Sequence, residues 1–123
     1  MDVKASVLPL YEEIFDVEYP LPKLDTLVVR GSFMTIGYSM LINFKASDFD
    51  AGAMENWGLI TGRTSAYLID PKKGDLQAKK RIAGTQSHEV AHMWFGNITT
   101  MEWWNYLYLN EGFATLVSMW INP

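Results

Sequence analysis

Cysteine is absent from this chain, and histidine occurs only twice. The first absence excludes disulfides and thiolate metal ligands and fits a reducing compartment, so a cytoplasmic location is expected. No apolar run reaches the roughly twenty residues that cross a bilayer. The longest apolar-rich stretch, Ser32 to Phe44, is broken by Gly37 and by polar side chains. Met1-Asp2-Val3-Lys4 lacks the basic run and apolar core of a secretory leader, so a soluble protein without a transmembrane segment is expected. Basic residues number 10 against 14 acidic ones, which gives a net charge of −4 and a pI near 5.0. That balance argues against nucleic acid as a partner, because phosphate binding calls for a basic patch.

The apolar content is ample. Hydrophobic residues make up 49% and aromatic residues 14% of the 123 positions, enough for one domain with a modest packed core and too many for a disordered chain. Ala5 to Phe15 has helical spacing of Val7, Leu10, Tyr11 and Ile14, ended by Tyr19-Pro20-Leu21-Pro22. A short strand is expected over Asp25 to Val29, and another extended segment over Leu59 to Ala66, closed by Pro71. A long helix is expected from about Asp75 to Phe95, burying Leu76, Ile82, Ala83, Val90, Ala91 and Trp94 and stopping at Gly96. A further helix from Asn110, a good cap residue, to Met119 would carry Glu111 in its first turn. Elements this mixed predict an α+β arrangement. Lys72, Lys73, Lys79, Lys80 and Arg81 alternate with Asp70 and Asp75, which reads as the solvated face of the long helix. Trp103 and Trp104 are expected to fill core volume between the two helices rather than line a substrate pocket. Met54 and Met93 lie near the candidate site in sequence and either shape a pocket or fill the core.

Both histidines stand in one run, Ser87-His88-Glu89-Val90-Ala91-His92. Positions four apart share a helix face, so both imidazoles can grip one ion, while Glu89 sits about 100° further round and reaches a water beside it. Glu111 follows after the eighteen residues 93–110 as a candidate third ligand. Zinc suits imidazole and carboxylate, and a catalytic zinc takes three protein ligands and leaves a position for water. The alternative is a chance grouping on an amphipathic helix, and a chain with only two histidines has no surplus from which to draw one.

The surrounding residues resemble the zinc aminopeptidases of the membrane alanyl and puromycin-sensitive type. They are His88 to Asn97, Met101-Glu102-Trp103-Trp104, Leu109 to Ala114 and Gly52-Ala53-Met54-Glu55-Asn56-Trp57-Gly58. The GAMEN segment, the HExxH helix and the later glutamate occur in the family's order and spacing, and the likeness covers most of residues 1–27 and 48 to about 116. The resemblance implies a partial, thermolysin-like (gluzincin) peptidase catalytic domain over residues 1–123. It implies one zinc ion held by His88, His92 and Glu111, and Glu89 as the base that takes a proton from the attacking water. In the family the GAMEN glutamate, here Glu55, binds the free α-ammonium of the substrate, and Gly52, Ala53, Met54 and Asn56 lie in the same substrate-binding segment. Peptides with a free amino terminus are the implied substrates, cut at their first bond. Ala53 stands where the epoxide-hydrolysing relatives carry glycine, which points to a plain aminopeptidase. Taken without the family, Glu55 reads as a loop carboxylate facing solvent.

Two departures from the family pattern stand out. An atypical apolar insertion is expected at about 28–47, where the family passes almost directly to Asp48-Phe49 and GAMEN. The family's amino-terminal β domain, catalytic tyrosine and helical carboxy-terminal domain have no counterpart within these residues, and neither Tyr106 nor Tyr108 is assigned the tyrosine's role. The alternative function is a zinc-binding but inactive fragment acting as a binding or regulatory module.

Overall fold

A computed structural model describes residues 3–29, 52–70, 72 and 74–122. Nearly all of the insertion expected at 28–47 lies outside the described residues, although Val28 and Val29 belong to a regular strand. The elements run α1 (Val3–Phe15), β1 (Asp25–Val29), β2 (Ala53–Met54), β3 (Leu59–Arg63), α2 (Thr64–Tyr67), α3 (Leu76–Ala91) and α4 (Leu107–Ile121). A 3₁₀ turn at Trp104–Tyr106 leads into α4. This mixture is the α+β content expected from the sequence.

β3 is the central strand, with the sheet ordered β1-β3-β2. β1 joins it in parallel with Thr26 opposite Ile60, and β2 joins it antiparallel with Ala53 opposite Gly62. The extended run stops at Arg63, three residues short of the expected end, because Thr64–Tyr67 closes a single helical turn, with the Leu68 amide donating to the Thr64 carbonyl at 2.8 Å. That turn lays the Tyr67 ring over Gly62. A Cβ at position 62 would fall 2.2 Å from Tyr67 Cε2, so the close approach requires glycine.

α3 starts where Asp75 accepts a hydrogen bond from the Ala78 amide at 2.7 Å. Its burial begins only at Ile82, so Leu76, expected inside, is 66% exposed. The regular helix ends at Ala91 rather than at Phe95. Wider turns follow, with the Asn97, Ile98 and Thr99 amides donating five residues back, and Gly96 takes a φ of 134° that L side chains rarely adopt. α4 begins at Leu107, three residues earlier than expected, so Asn110 is an interior residue buried against Gly96 instead of a cap. Glu111 consequently lies in the second turn.

Helices α1 and α4 both pack on α3. α1 contributes Val7 and Tyr11, with Val3, Leu8 and Phe15 partly buried beside them, so the buried stripe omits Leu10 and Ile14. The Tyr11 hydroxyl donates to the Ser87 carbonyl at 3.2 Å, and Trp94 Nε1 donates to the Val17 carbonyl at 2.9 Å. A run of rings joins the three helices: Phe15 meets Trp94 at 5.3 Å and Phe95 at 5.2 Å, and Phe95 stacks on Phe113 at 5.1 Å. Ile60 carries β3 into the same core and is fully buried. Ile60→Ala should therefore destabilise the chain by about 2–5 kcal/mol, read as a lower urea midpoint at unchanged slope.

Trp103 and Trp104 do not fill the core; they are 64% and 71% exposed. They precede α4 on the turn that leads into it, and the inner face of α4 is taken by the smaller Asn110, Ala114, Val117 and Ser118. Phe113, Leu116, Met119 and Trp120 add further exposed apolar surface along α4. Lys72, Lys79, Lys80 and Arg81 are exposed as expected, while Lys73 lies outside the described residues.

Candidate metal centre

The helical repeat alone brings His88 and His92 together. Their Nε2 atoms lie 2.9 Å apart at the carboxy-terminal end of α3. Tertiary packing supplies the third group, since α4 lies against α3 and places Glu111 Oε2 3.2 Å from His88 Nε2 and 3.5 Å from His92 Nε2. One candidate ligand atom from each residue falls within 4.8 Å of the others.

Hydrogen bonds aim these rings. His92 is 1% exposed, and its Nδ1–H donates to the Phe95 carbonyl at 2.8 Å, which turns Nε2 towards Glu111. His88 Nδ1 lies 3.5 Å from Thr115 Oγ1. Burial lowers the His88 pKa, and His92 lowers it further, against the opposing pull of Glu111 and Glu55. A neutral His88 makes these approaches something other than ordinary salt bridges. Electron-pair donors aimed at one another repel, and a cation among them relieves the repulsion. Two imidazoles and a carboxylate are a donor set that zinc accepts, so the residues present fit that ion.

Glu89 does not join the three. It is buried on α3 where it lines the cleft, and its Oε2 has no hydrogen-bond partner. Burial, then Glu55, then Glu111 push its pKa up to about 8. Glu55, Glu89 and Glu111 thus crowd negative charge into one space, which a dication offsets. Burial and the Glu89 charge also raise the Tyr67 pKa, and the Tyr67 hydroxyl is buried without a hydrogen-bond partner.

All four residues of the centre open into a cleft of about 800 Å³ that Ala53, Met54 and Glu55 also line. Gly52 and Asn56 are not among its lining residues. Gly52 accepts from the Arg63 amide at 2.8 Å and has a φ of 88°, so glycine serves backbone conformation there and not close packing. Asn56 directs its side-chain amide to Thr61 Oγ1 at 3.1 Å. Met54 is a cleft residue, whereas Met93 is wholly buried in the core. Trp104 lines the cleft, contrary to its expected place in the core.

The peptidase family M1 domain model matches residues 1–122. This chain belongs to that family. It is 46% identical over 118 residues to aminopeptidase M1 of Arabidopsis thaliana, covering 96% of the chain and 12% of that protein. It is also 46% identical over 114 residues to endoplasmic reticulum aminopeptidase 1 of Rattus norvegicus, covering 93% of the chain and 10% of that protein. Aminopeptidase 2, mitochondrial, of Saccharomyces cerevisiae is 43% identical over 117 residues, covering 95% of the chain and 10% of that protein. The chain therefore spans about a tenth of the length of these relatives. Among its described residues no helix is long and apolar enough to cross a membrane.

Sequence reasoning missed Asn97, whose Nδ2 donates to the Glu55 carbonyl at 2.9 Å. An asparagine directly after Gly96 is the local signal, but nothing in the sequence gives its partner 42 residues away.

Proposed function

We propose that the chain is the metal-binding part of a thermolysin-like catalytic domain, in a zinc aminopeptidase that removes the first residue from peptides. The observation that carries this reading is the convergence of His88, His92 and Glu111, with an unpaired buried carboxylate of Glu89 in the same cleft. Membership of the M1 family and the names of the relatives support it.

His88, His92 and Glu111 hold the ion. Bound zinc polarises a carbonyl oxygen and lowers the pKa of water to about 7. Glu89, whose ionised form the charge of a bound dication favours, then accepts the proton of the attacking water and returns it to the leaving amine. Glu55 pairs with the substrate's α-ammonium, whose pKa of about 8 keeps it mostly charged at neutral pH. Among the described residues β2 pairs on one side only, and its other side suits an extended peptide backbone.

Paired rate measurements on an alanine-initiated peptide and its N-acetyl counterpart test this function. Acetylation removes the charge and should abolish productive binding. Glu55→Ala should raise KM for the free peptide more than about tenfold, since a pair in a partly dry cleft is worth more than the ~1 kcal/mol of a surface pair. Equal cleavage of both peptides contradicts the amine anchor and replaces it with an endopeptidase.

A second reading, a zinc-binding chain that acts as a binding module without hydrolysing peptides, is favoured by the exposed apolar surface of Trp103, Trp104, Leu116, Met119 and Trp120. Stoichiometric zinc with no turnover on the purified chain is its signature.

A further inference from the structure

We propose that Asn97 is a positioning residue that clamps the 52–56 segment to the end of α3 and so sets the distance from the amine anchor to the metal ligands. The inference rests on the reading of Glu55 as that anchor. Three bonds carry it. Asn97 Nδ2 donates to the backbone carbonyl of Glu55 at 2.9 Å, so the peptide unit that bears the anchor is held from the α3 side. The Asn97 amide donates to the His92 carbonyl at 3.1 Å, which fixes Asn97 to a metal-ligating residue. The Phe95 carbonyl, two residues back, receives His92 Nδ1–H at 2.8 Å. One short turn thus orients a ligand ring with Phe95 and holds the anchor segment with Asn97.

The rest of the segment needs such a clamp. Among the described residues β2 is two residues long and lies at the edge of the sheet, and its pairing with β3 covers Ala53 and Met54 but not Glu55. Beyond Met54 the chain leaves the ladder, and a two-residue edge pairing is too short to fix where a following side chain points. The turn that carries Asn97 is itself well set. Gly96 packs where a Cβ would lie 3.4 Å from both Asn110 Nδ2 and the His92 carbonyl, and Met93, whose Sδ is 3.7 Å from Asn97 Nδ2, is wholly buried. An exopeptidase measures one residue from an ammonium to a scissile carbonyl, and an error of about 1 Å in such a distance can cost about 10²-fold in rate. Asn97 acts on that distance without touching substrate.

Asn97→Asp is the decisive variant, because it keeps the shape and puts a carboxylate oxygen where the donor faced a carbonyl. Asn97→Ala repeats the test without the added charge. Two readouts apply to the zinc-loaded chain, the second in a Glu89→Gln background so that peptide is not consumed. Hydrogen exchange of the amides of residues 53–56 should accelerate at least about tenfold while α3 and α4 amides and zinc stoichiometry stay native. Affinity for an alanine-initiated tripeptide, by calorimetry, should fall about tenfold, with the N-acetyl tripeptide unmoved. Native exchange across 53–56 in both variants overturns the clamp, as does equal weakening of free and acetylated peptides. Glu55→Ala that leaves the free peptide's affinity unchanged marks a failed amine anchor instead. In that case the exchange rates at 53–56 still decide whether Asn97 holds the segment.

Discussion

His92→Ala should strip the chain of zinc. His92 is the most buried of the three candidate ligands, and its ring is already fixed by the Phe95 carbonyl, so little ordering is left to offset metal binding. Without it, His88 and Glu111 remain, and Glu111, with 48% of its side chain exposed, is the loosest of the set. Loss of an outer-shell partner typically costs about 10- to 100-fold in metal affinity, and loss of a ligand should exceed that. Elemental analysis after dialysis against a weak chelator should find stoichiometric zinc in the parent chain and almost none in the variant. Unchanged zinc content in His92→Ala defeats the ligand assignment.

Glu89→Gln should separate binding from chemistry. The substitution conserves shape, and Glu89 is outside the group of converging ligand atoms, so zinc content should match the parent. Glutamine cannot accept a proton, and general-base catalysis typically contributes about 10²–10⁴-fold, so turnover of an aminoacyl reporter should fall by that factor with KM little changed. The measurement applies to this chain or to a longer polypeptide that contains it. Near-parental turnover in Glu89→Gln removes the base role, whatever the zinc content.

The pairing of His88 with His92 was legible because a helix has a fixed repeat, and residues four apart share a face in any helix. The Asp25–Val29 strand was legible from its run of β-branched and apolar residues, and the start of the long helix near Asp75 was legible too. Boundaries were read less well. Thr64 to Ala66 continues an extended pattern, yet the chain turns into α2 there because Tyr67 has room to pack over Gly62. Asn110 has the chemistry of a cap, but the 3₁₀ turn at Trp104–Tyr106 starts α4 early and carries Asn110 inside.

The family motifs also pointed to Glu55, and no local rule did. A carboxylate beside a two-residue strand has no periodicity to mark it, and its sequence neighbours Gly52 and Asn56 use their polar groups on β3. Trp103 and Trp104 misled for a related reason: burial depends on what packs against a segment, and α4 turns its smaller residues inward.

By itself, then, the sequence determined what acts within one helical turn: two imidazoles on one face, a glutamate turned aside from them, and an acidic, cysteine-free surface. Only the tertiary structure decided what spans separate elements. It brought Glu111 on α4 within 3.5 Å of both histidines, set Glu55 in the same cleft, and tied that segment to α3 through Asn97. Local geometry follows from backbone repeat and side-chain chemistry. Distances between elements follow from how their buried faces fit, which no single segment contains.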